Sequence, residues 1–466
     1  MRLLCPTSHG TGVFRARVLS DCAHERERAA RTERVSYREK VEDAQGAPEQ
    51  LERLFQSALK ENNGAAFKAD VLACHRAAPD NLLYAAWVYR LEVVPGETFS
   101  GRRKTNWKLG LPLSLATGLI MWLLSNERLV YHPEQMPYLG HLAAPILAVF
   151  TVVFLSATAK NSTGRALWAS AMLAAVVAYV MFLSPQKELY SLLMAPHLFL
   201  LSWTVVGFSV IGAGASTRNK FAFLIKSIEA VVTAGVFLVA TLVFSGITLS
   251  MFQALDVEID DAIVRLLFVG FPGAIPLIAV ASVYDPLVSA ASQEFRRGVG
   301  RLIITFPRVL LVLTIVVLVV YLVVIPFNFM APFENRDVLI TYNVMLFSVM
   351  GLLVGATPVT ADDLSLRLQN YLRSAIIVVA ALVVVVSLYS LAAVVYRTVG
   401  HGLTINRMTV IGWNSINIAL LALMIFRQLH GGKVGWVAKL QWTFSEGISA
   451  YIVWAVFVTI FTPWLF

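Results

Sequence analysis

The chain of 466 residues is 57% hydrophobic and only 14% charged, with a net charge of +9. Soluble domains carry roughly 25% charged residues, whereas several uninterrupted apolar runs here exceed the ~18 residues that read as a bilayer-spanning helix. A soluble globular protein is thereby excluded, and lysine and arginine in connecting loops explain the positive balance without nucleic acid.

From the amino terminus, residues 1–45 mix Arg and Glu with few large apolar side chains, as in HERERAARTERVSYREKVEDAQG. Such a segment has no core to offset chain entropy, so it is expected to be disordered, or to precede the true start. The opening MRLLCPTSHGTGVF lacks an apolar h-region and does not read as a secretory signal. Cys5, Cys22 and Cys74 lack CxxC spacing, so neither a disulfide framework nor a zinc site is expected, and a reduced cytosolic setting fits them.

Residues 46–105 read as a small cytosolic helical region and linker. Leu51, Leu54, Phe55, Ala58 and Leu59, then Phe67, Val71 and Leu72, recur at helical spacing. Asn62, Asn63 and Gly64 break the first helix, and Pro79, Asp80 and Asn81 start a third. About three helices are expected over 48–92, similar to a single tetratricopeptide unit. One such unit would dock on the membrane domain or on a protein partner.

Residues 106–466 form the polytopic part of what is read as an all-α integral membrane protein. Eleven spans are expected, near 107–125, 137–158, 166–183, 189–212, 221–252, 262–283, 302–324, 338–356, 374–396, 408–426 and 443–462. With a cytoplasmic amino terminus, the inside segments hold eighteen Lys and Arg and the outside segments six. A multi-pass protein of the bacterial inner membrane is expected, amino terminus inside and carboxyl terminus outside.

In chain order, the first candidate group is His197, one residue after Pro196 in the fourth span. A lone buried histidine is usually hydrogen-bonded structure, and His141 in the second span reads likewise. Lys226 and Glu229 in the fifth span lie three apart, on one helix face, so they can form an internal pair or reach the inner interface. Intramembrane charge marks a site by default. The sixth span, LFVGFPGAIPLIAVASVYDP, carries Gly270, Pro272, Gly273 and Pro276, which must weaken or kink it. Broken helices line transporter sites, and they also occur as plain kinks.

Between the ninth and tenth spans stands YRTVGHGLTINRM, residues 396–408, with two arginines on the expected outer side, against the insertion bias. Gly400 and Gly402 permit a sharp turn, and Thr404 or Asn406 can cap the next helix. Arg407 then falls in a first turn, where a cation opposes the helix dipole. It would reach headgroups, pair with Glu334 or Asp337, or meet an anionic ligand, with Arg397 beside it. The element Gly402-Leu403-Thr404-Ile405-Asn406-Arg407 resembles a bacterial family of polytopic inner-membrane proteins known as domain of unknown function 4153. That resemblance implies a multispanning location over about 106–466 and no activity, substrate or cofactor. In that family an aromatic residue often precedes the glycine, where this chain has His401.

No phosphate loop, HExxH, GxSxG or Cys/His cluster is present, so no metal and no cofactor are expected. The apolar spans offer no paired carboxylates, which ranks an intramembrane enzyme lowest. The leading expectation is permease-like transport or handling of a small molecule or a lipid or envelope substrate. Its alternative is a membrane scaffold or sensor that recruits a partner through residues 48–92.

Overall fold

The computed structural model describes residues 36–61, 63–93, 105–126, 138–159, 163–183, 188–295, 299–359, 364–433 and 435–466. Residues 1–35, which hold most of the segment expected to be disordered, lie outside that set, as do Cys5, Cys22, Arg128, Lys160, Lys187 and Arg296. The chain divides into two compact units between Lys104 and Thr105.

The first unit contains four described helices, α1 (Arg38–Asp43), α2 (Pro48–Lys60), α3 (Gly64–Ala77) and α4 (Leu82–Val93). Each turns a helical-period stripe inward: Leu51, Phe55 and Ala58; Phe67, Val71 and Cys74; Tyr84, Trp87 and Leu91. Phe55, Phe67 and Trp87 form the centre, with ring centroids 5.4–5.8 Å apart. The Asn81 side chain accepts from Leu83 N–H at 2.9 Å and starts α4. Arg90 binds the Glu52 carboxylate and lies 4.6 Å over Trp87.

Helix α1 corrects the expectation of disorder through residue 45. Tyr37, Val41 and Ala44 stand at i, i+4 and i+7, so one face of a charged segment is apolar and buried. The Asp70 carboxylate fixes its start by accepting from Tyr37 N–H at 2.6 Å. Charge dominates the composition there, and three well-placed apolar residues outweigh it.

The second unit is all helical among its described residues, and eleven of its helices are long and apolar enough to cross a membrane. They are α5 (Trp107–Leu124), α6 (Tyr138–Ala159), α7 (Thr163–Leu183), α8 (Glu188–Ile211), α9 (Thr217–Gln253), α10 (Asp261–Val283), α11 (Val299–Val324), α12 (Arg336–Ala356), α13 (Leu366–His401), α14 (Ile405–His430) and α15 (Trp436–Leu465). Large apolar side chains also cover the outside, including Leu115, Val239, Val316, Val385 and Val453. Exposure on that scale is a liability in water and a requirement in lipid. The protein is therefore a multispanning membrane protein.

Helices α9 and α13, of 37 and 36 residues, are each about 55 Å long, well beyond the ~30 Å hydrocarbon layer. Leu311 of α11, Leu346 and Leu353 of α12, and Ile376, Val379 and Val383 of α13 make the largest core. At one end of the spans lie residues 254–260, 325–335 and 402–404, the connectors that follow α9, α11 and α13. We term this the turn end. At the opposite, clamp end, Gln441 donates to the Pro358 and Val359 carbonyls, both at 2.9 Å.

Candidate functional site

The turn-end element is far more compact than a loop. Helix α13 runs on through Gly400 to His401, so Gly400 makes no turn, and only Gly402, Leu403 and Thr404 separate it from α14. Gly402, at φ +81°, is the residue that turns the chain. Thr404, rather than Asn406, caps α14 by accepting from Arg407 N–H at 3.4 Å, while Asn406 sits half-buried in the first turn. The Arg407 guanidinium folds back to donate to the Gly402 carbonyl at 2.5 Å. That contact satisfies a carbonyl the helix end leaves open and offsets the adverse dipole. It is Arg397 that reaches Glu334, through the main-chain oxygen at 3.4 Å. Both arginines act as staples between chain segments.

Lys226 and Glu229 form a buried pair at 2.8 Å, with side chains 4% and 8% exposed. Lys226 also donates to the Val283 carbonyl at 3.2 Å and to the Glu294 carbonyl, and it sits 4.9 Å from the Phe295 ring centre. The lysine thus caps the carboxyl end of α10 and holds the segment 284–295 against α9. Its charge is matched by one carboxylate, two carbonyls and a ring face, which offsets the desolvation of a buried ammonium.

The sixth span, α10, breaks at a π-helical turn, Leu266–Gly270, just before Pro272. Ser245 Oγ of α9 donates to the Leu267 carbonyl at 3.0 Å, supplying one partner at the irregular turn. Gly270 and Gly273 let α10 press onto α5. A Cβ on Gly118 would stand 2.5 Å from the Gly270 oxygen, and one on Gly273 would stand 2.7 Å from Met121 Cγ. Pro276 lies within the regular stretch that follows. The two glycines serve a close helix crossing.

Polar groups without partners occur elsewhere. Asn414 and Asn417 of α14 and Ser387 and Ser390 of α13 are each at most 3% exposed. The Nδ2 atoms of both asparagines and the Oγ atoms of both serines have no hydrogen-bond partner among the described residues. Other span hydroxyls, including Thr204, Ser282, Ser348 and Thr409, bond to the carbonyl four residues back. The two serines do not, so they are not quenched by their own helix. Positions 387 and 417 are equidistant from Gly402, as are 390 and 414, so an antiparallel hairpin brings each pair to one depth, about 18–22 Å from the turn by helical rise. Asn417 is the thirteenth of the 26 residues of α14, so the layer lies mid-span.

Aromatic rings extend this layer toward α8 and α15. Tyr451 donates to Asn417 Oδ1, and its ring centre lies 5.5 Å from that of Trp413. Trp413 Nε1 donates to His197 Nε2 at 3.3 Å, while His197 Nδ1 lies 2.7 Å from the Leu193 carbonyl. These partners fix the neutral tautomer with the proton on Nδ1, so His197 positions Trp413. His141 is likewise engaged, 2.9 Å from the Ser191 carbonyl. The sequence reading missed Asn414, Asn417, Ser387, Ser390 and Tyr451. The available signal was two asparagines three apart in an apolar span, costly unless they face partners.

The arrangement offers unpaired N–H and O–H groups in a layer whose only titratable members are Tyr451 and a fully engaged histidine. Such groups suit hydrogen bonds to water or to an uncharged polar group. Among the described residues there is no cluster of three metal-ligating side chains. No protein-family model, curated protein or solved structure matches the chain.

Proposed function

We propose that the protein is a permease-like bacterial inner-membrane protein that moves or handles a small polar solute, or a lipid or envelope-derived substrate, past the Ser387/Ser390/Asn414/Asn417 layer. The observation that carries this reading is four buried polar groups without partners at mid-span. Leaving such a group unpaired costs about 1–3 kcal/mol, so the layer is built for a partner that comes and goes. The Gly-Leu-Thr-Ile-Asn-Arg element supports a place in the domain of unknown function 4153 family. The charge bias supports a cytoplasmic clamp end, with a reporter fused after His401 expected on the periplasmic side.

Thiol accessibility tests the proposal. Asn414→Cys and Ser390→Cys are made in a chain lacking Cys5, Cys22 and Cys74, then exposed to a membrane-impermeant reagent. A water-connected layer labels at both positions. Absence of labelling at both, from either side of the membrane, would refute the pathway.

A second reading rests on a different observation. On α4, Leu82 and Tyr89 stand seven residues apart and are 85% and 68% exposed. An apolar stripe on a small helical unit supports a scaffold that recruits a protein partner. Leu82→Asp with Tyr89→Ser would abolish activity under that reading and leave transport intact under the first.

A further inference from the structure

At the clamp end, a cleft of about 240 Å³ opens where α6 ends, α7 begins, α8 ends and the chain leaves α10. Arg165, Ser156, Ser209, Tyr284 and Ser289 supply its polar lining, and none of the described lining residues is acidic. Arg165 is exposed and forms no hydrogen bond or ion pair with a described residue. Its guanidinium is nevertheless placed: a Cβ on Gly212 would lie 2.5 Å from Arg165 Nη1, and Gly212 has φ +75°. The absent side chain at position 212 is the room the guanidinium uses.

The opposite wall is rigid. Gln293 donates to the Asp285 carbonyl at 2.7 Å and accepts from Asp285 N–H at 3.0 Å, which closes the turn. Asn219 Oδ1 accepts from Ala291 N–H at 2.9 Å, and Lys226 clamps the segment at both ends. The nearby carboxylate of Asp285 accepts from Leu287 N–H at 3.0 Å within that turn. Ser209 donates to the Val206 carbonyl at 2.8 Å, whereas Ser289 and Ser292 share one bond at 2.8 Å, leaving one of those two hydroxyl protons free.

We propose that this cleft binds a phosphate group, with the Arg165 guanidinium as the charged donor and the Ser156 and Ser289 hydroxyls as neutral ones. Four span ends meet here, the level at which lipid headgroups lie, and a guanidinium with hydroxyl donors matches phosphate oxygens. The site is separate from the mid-span layer and stands whether or not that layer conducts.

The test uses full-length protein in an uncharged detergent and in nanodiscs, reading the thermal unfolding midpoint. Inorganic phosphate, with sulfate and chloride as comparisons, probes a soluble ligand. Phosphatidylglycerol against phosphatidylcholine nanodiscs probes a lipid headgroup. A rise with inorganic phosphate alone assigns a soluble ester, and a rise with phosphatidylglycerol alone assigns a lipid. Either rise should weaken about tenfold in half-saturation in Arg165→Gln, survive in part in Arg165→Lys, and persist in Arg397→Gln at the turn end. Ser289→Phe, which fills the cleft from an exposed position, should abolish it and serves if Arg165→Gln does not fold. No rise with either probe, or equal rises in wild type and Ser289→Phe, would overturn the proposal.

Discussion

Helix α10 and the α13–α14 hairpin both depart from a plain apolar span, and they do so in opposite ways. Helix α10 advertises itself with two glycines, two prolines and a π-helical turn, yet its irregularity is absorbed by Gly118, Ser245 and Lys226. The hairpin is regular in backbone, yet Ser387, Ser390, Asn414 and Asn417 within it are among the buried polar groups without a partner among the described residues. Irregular backbone therefore need not leave polar groups open when neighbours satisfy it, and regular backbone can still hold unpartnered ones.

Five outcomes would break or sharpen that contrast. The largest effect is expected for Lys226→Met, which strands Glu229 and releases the end of α10. It should cost about 3–5 kcal/mol in unfolding free energy, with partial recovery in the double variant with Glu229→Gln. Next, Gly118→Val drives a side chain against the Gly270 carbonyl and should cost about 3 kcal/mol, read as a lower unfolding midpoint and poor monodispersity on size exclusion. Asn414→Leu should lower thiol labelling at Ser390→Cys about tenfold while changing stability by less than about 1 kcal/mol. If it instead stabilises by about 1–3 kcal/mol with labelling unchanged, the layer is a buried defect. Ser245→Ala removes one bond at the π-helical turn and should cost about 1 kcal/mol by chemical denaturation.

The smallest effect lies in the first unit, a region with no mid-membrane demand. The Arg90 hydrogen bond holds the Glu52 carboxyl below its ordinary range. Its folded-state pKa is depressed, so its contribution is present above the unfolded value and is lost as pH falls through the folded one. Hydrogen-exchange protection over residues 48–93, taken relative to the intrinsic exchange rate, should therefore fall on acidification below about pH 4. Glu52→Gln should remove that dependence at a cost of a few tenths of a kcal/mol, because the pair is partly solvated.

How much of this was legible in sequence follows from the range of each constraint. Spans are legible because lipid imposes its demand on consecutive residues, and the expected ends fall close to the helices for most of α5–α12. Helices α13 and α14 run past their expected ends, since Arg373, Arg397 and Arg427 lower the hydropathy without ending a helix. The Lys226–Glu229 pair is legible because its partners are three residues apart. The carbonyls of Val283 and Glu294 that complete it are 57 and 68 residues away and are not. Gly270 and Gly273 read as a broken helix because Gly118, the residue they pack against, belongs to another span. Asn414 and Asn417 pass unnoticed because two amides barely alter the hydropathy of a 26-residue helix.

The three-residue turn at Gly402 has a consequence for how the chain enters its membrane. Only Gly402, Leu403 and Thr404 separate α13 from α14, so the chain has little slack to place the two helices apart. The first has the more hydrophobic 18-residue stretch, with mean hydropathy 2.8 against 1.8 in the second. Partitioned as a pair, they present Ser387, Ser390, Asn414 and Asn417 to each other's depth rather than to acyl chains. The polar layer can thus cross the insertion machinery already sheltered, and a longer connector would forfeit that protection during biogenesis even if the finished structure were the same.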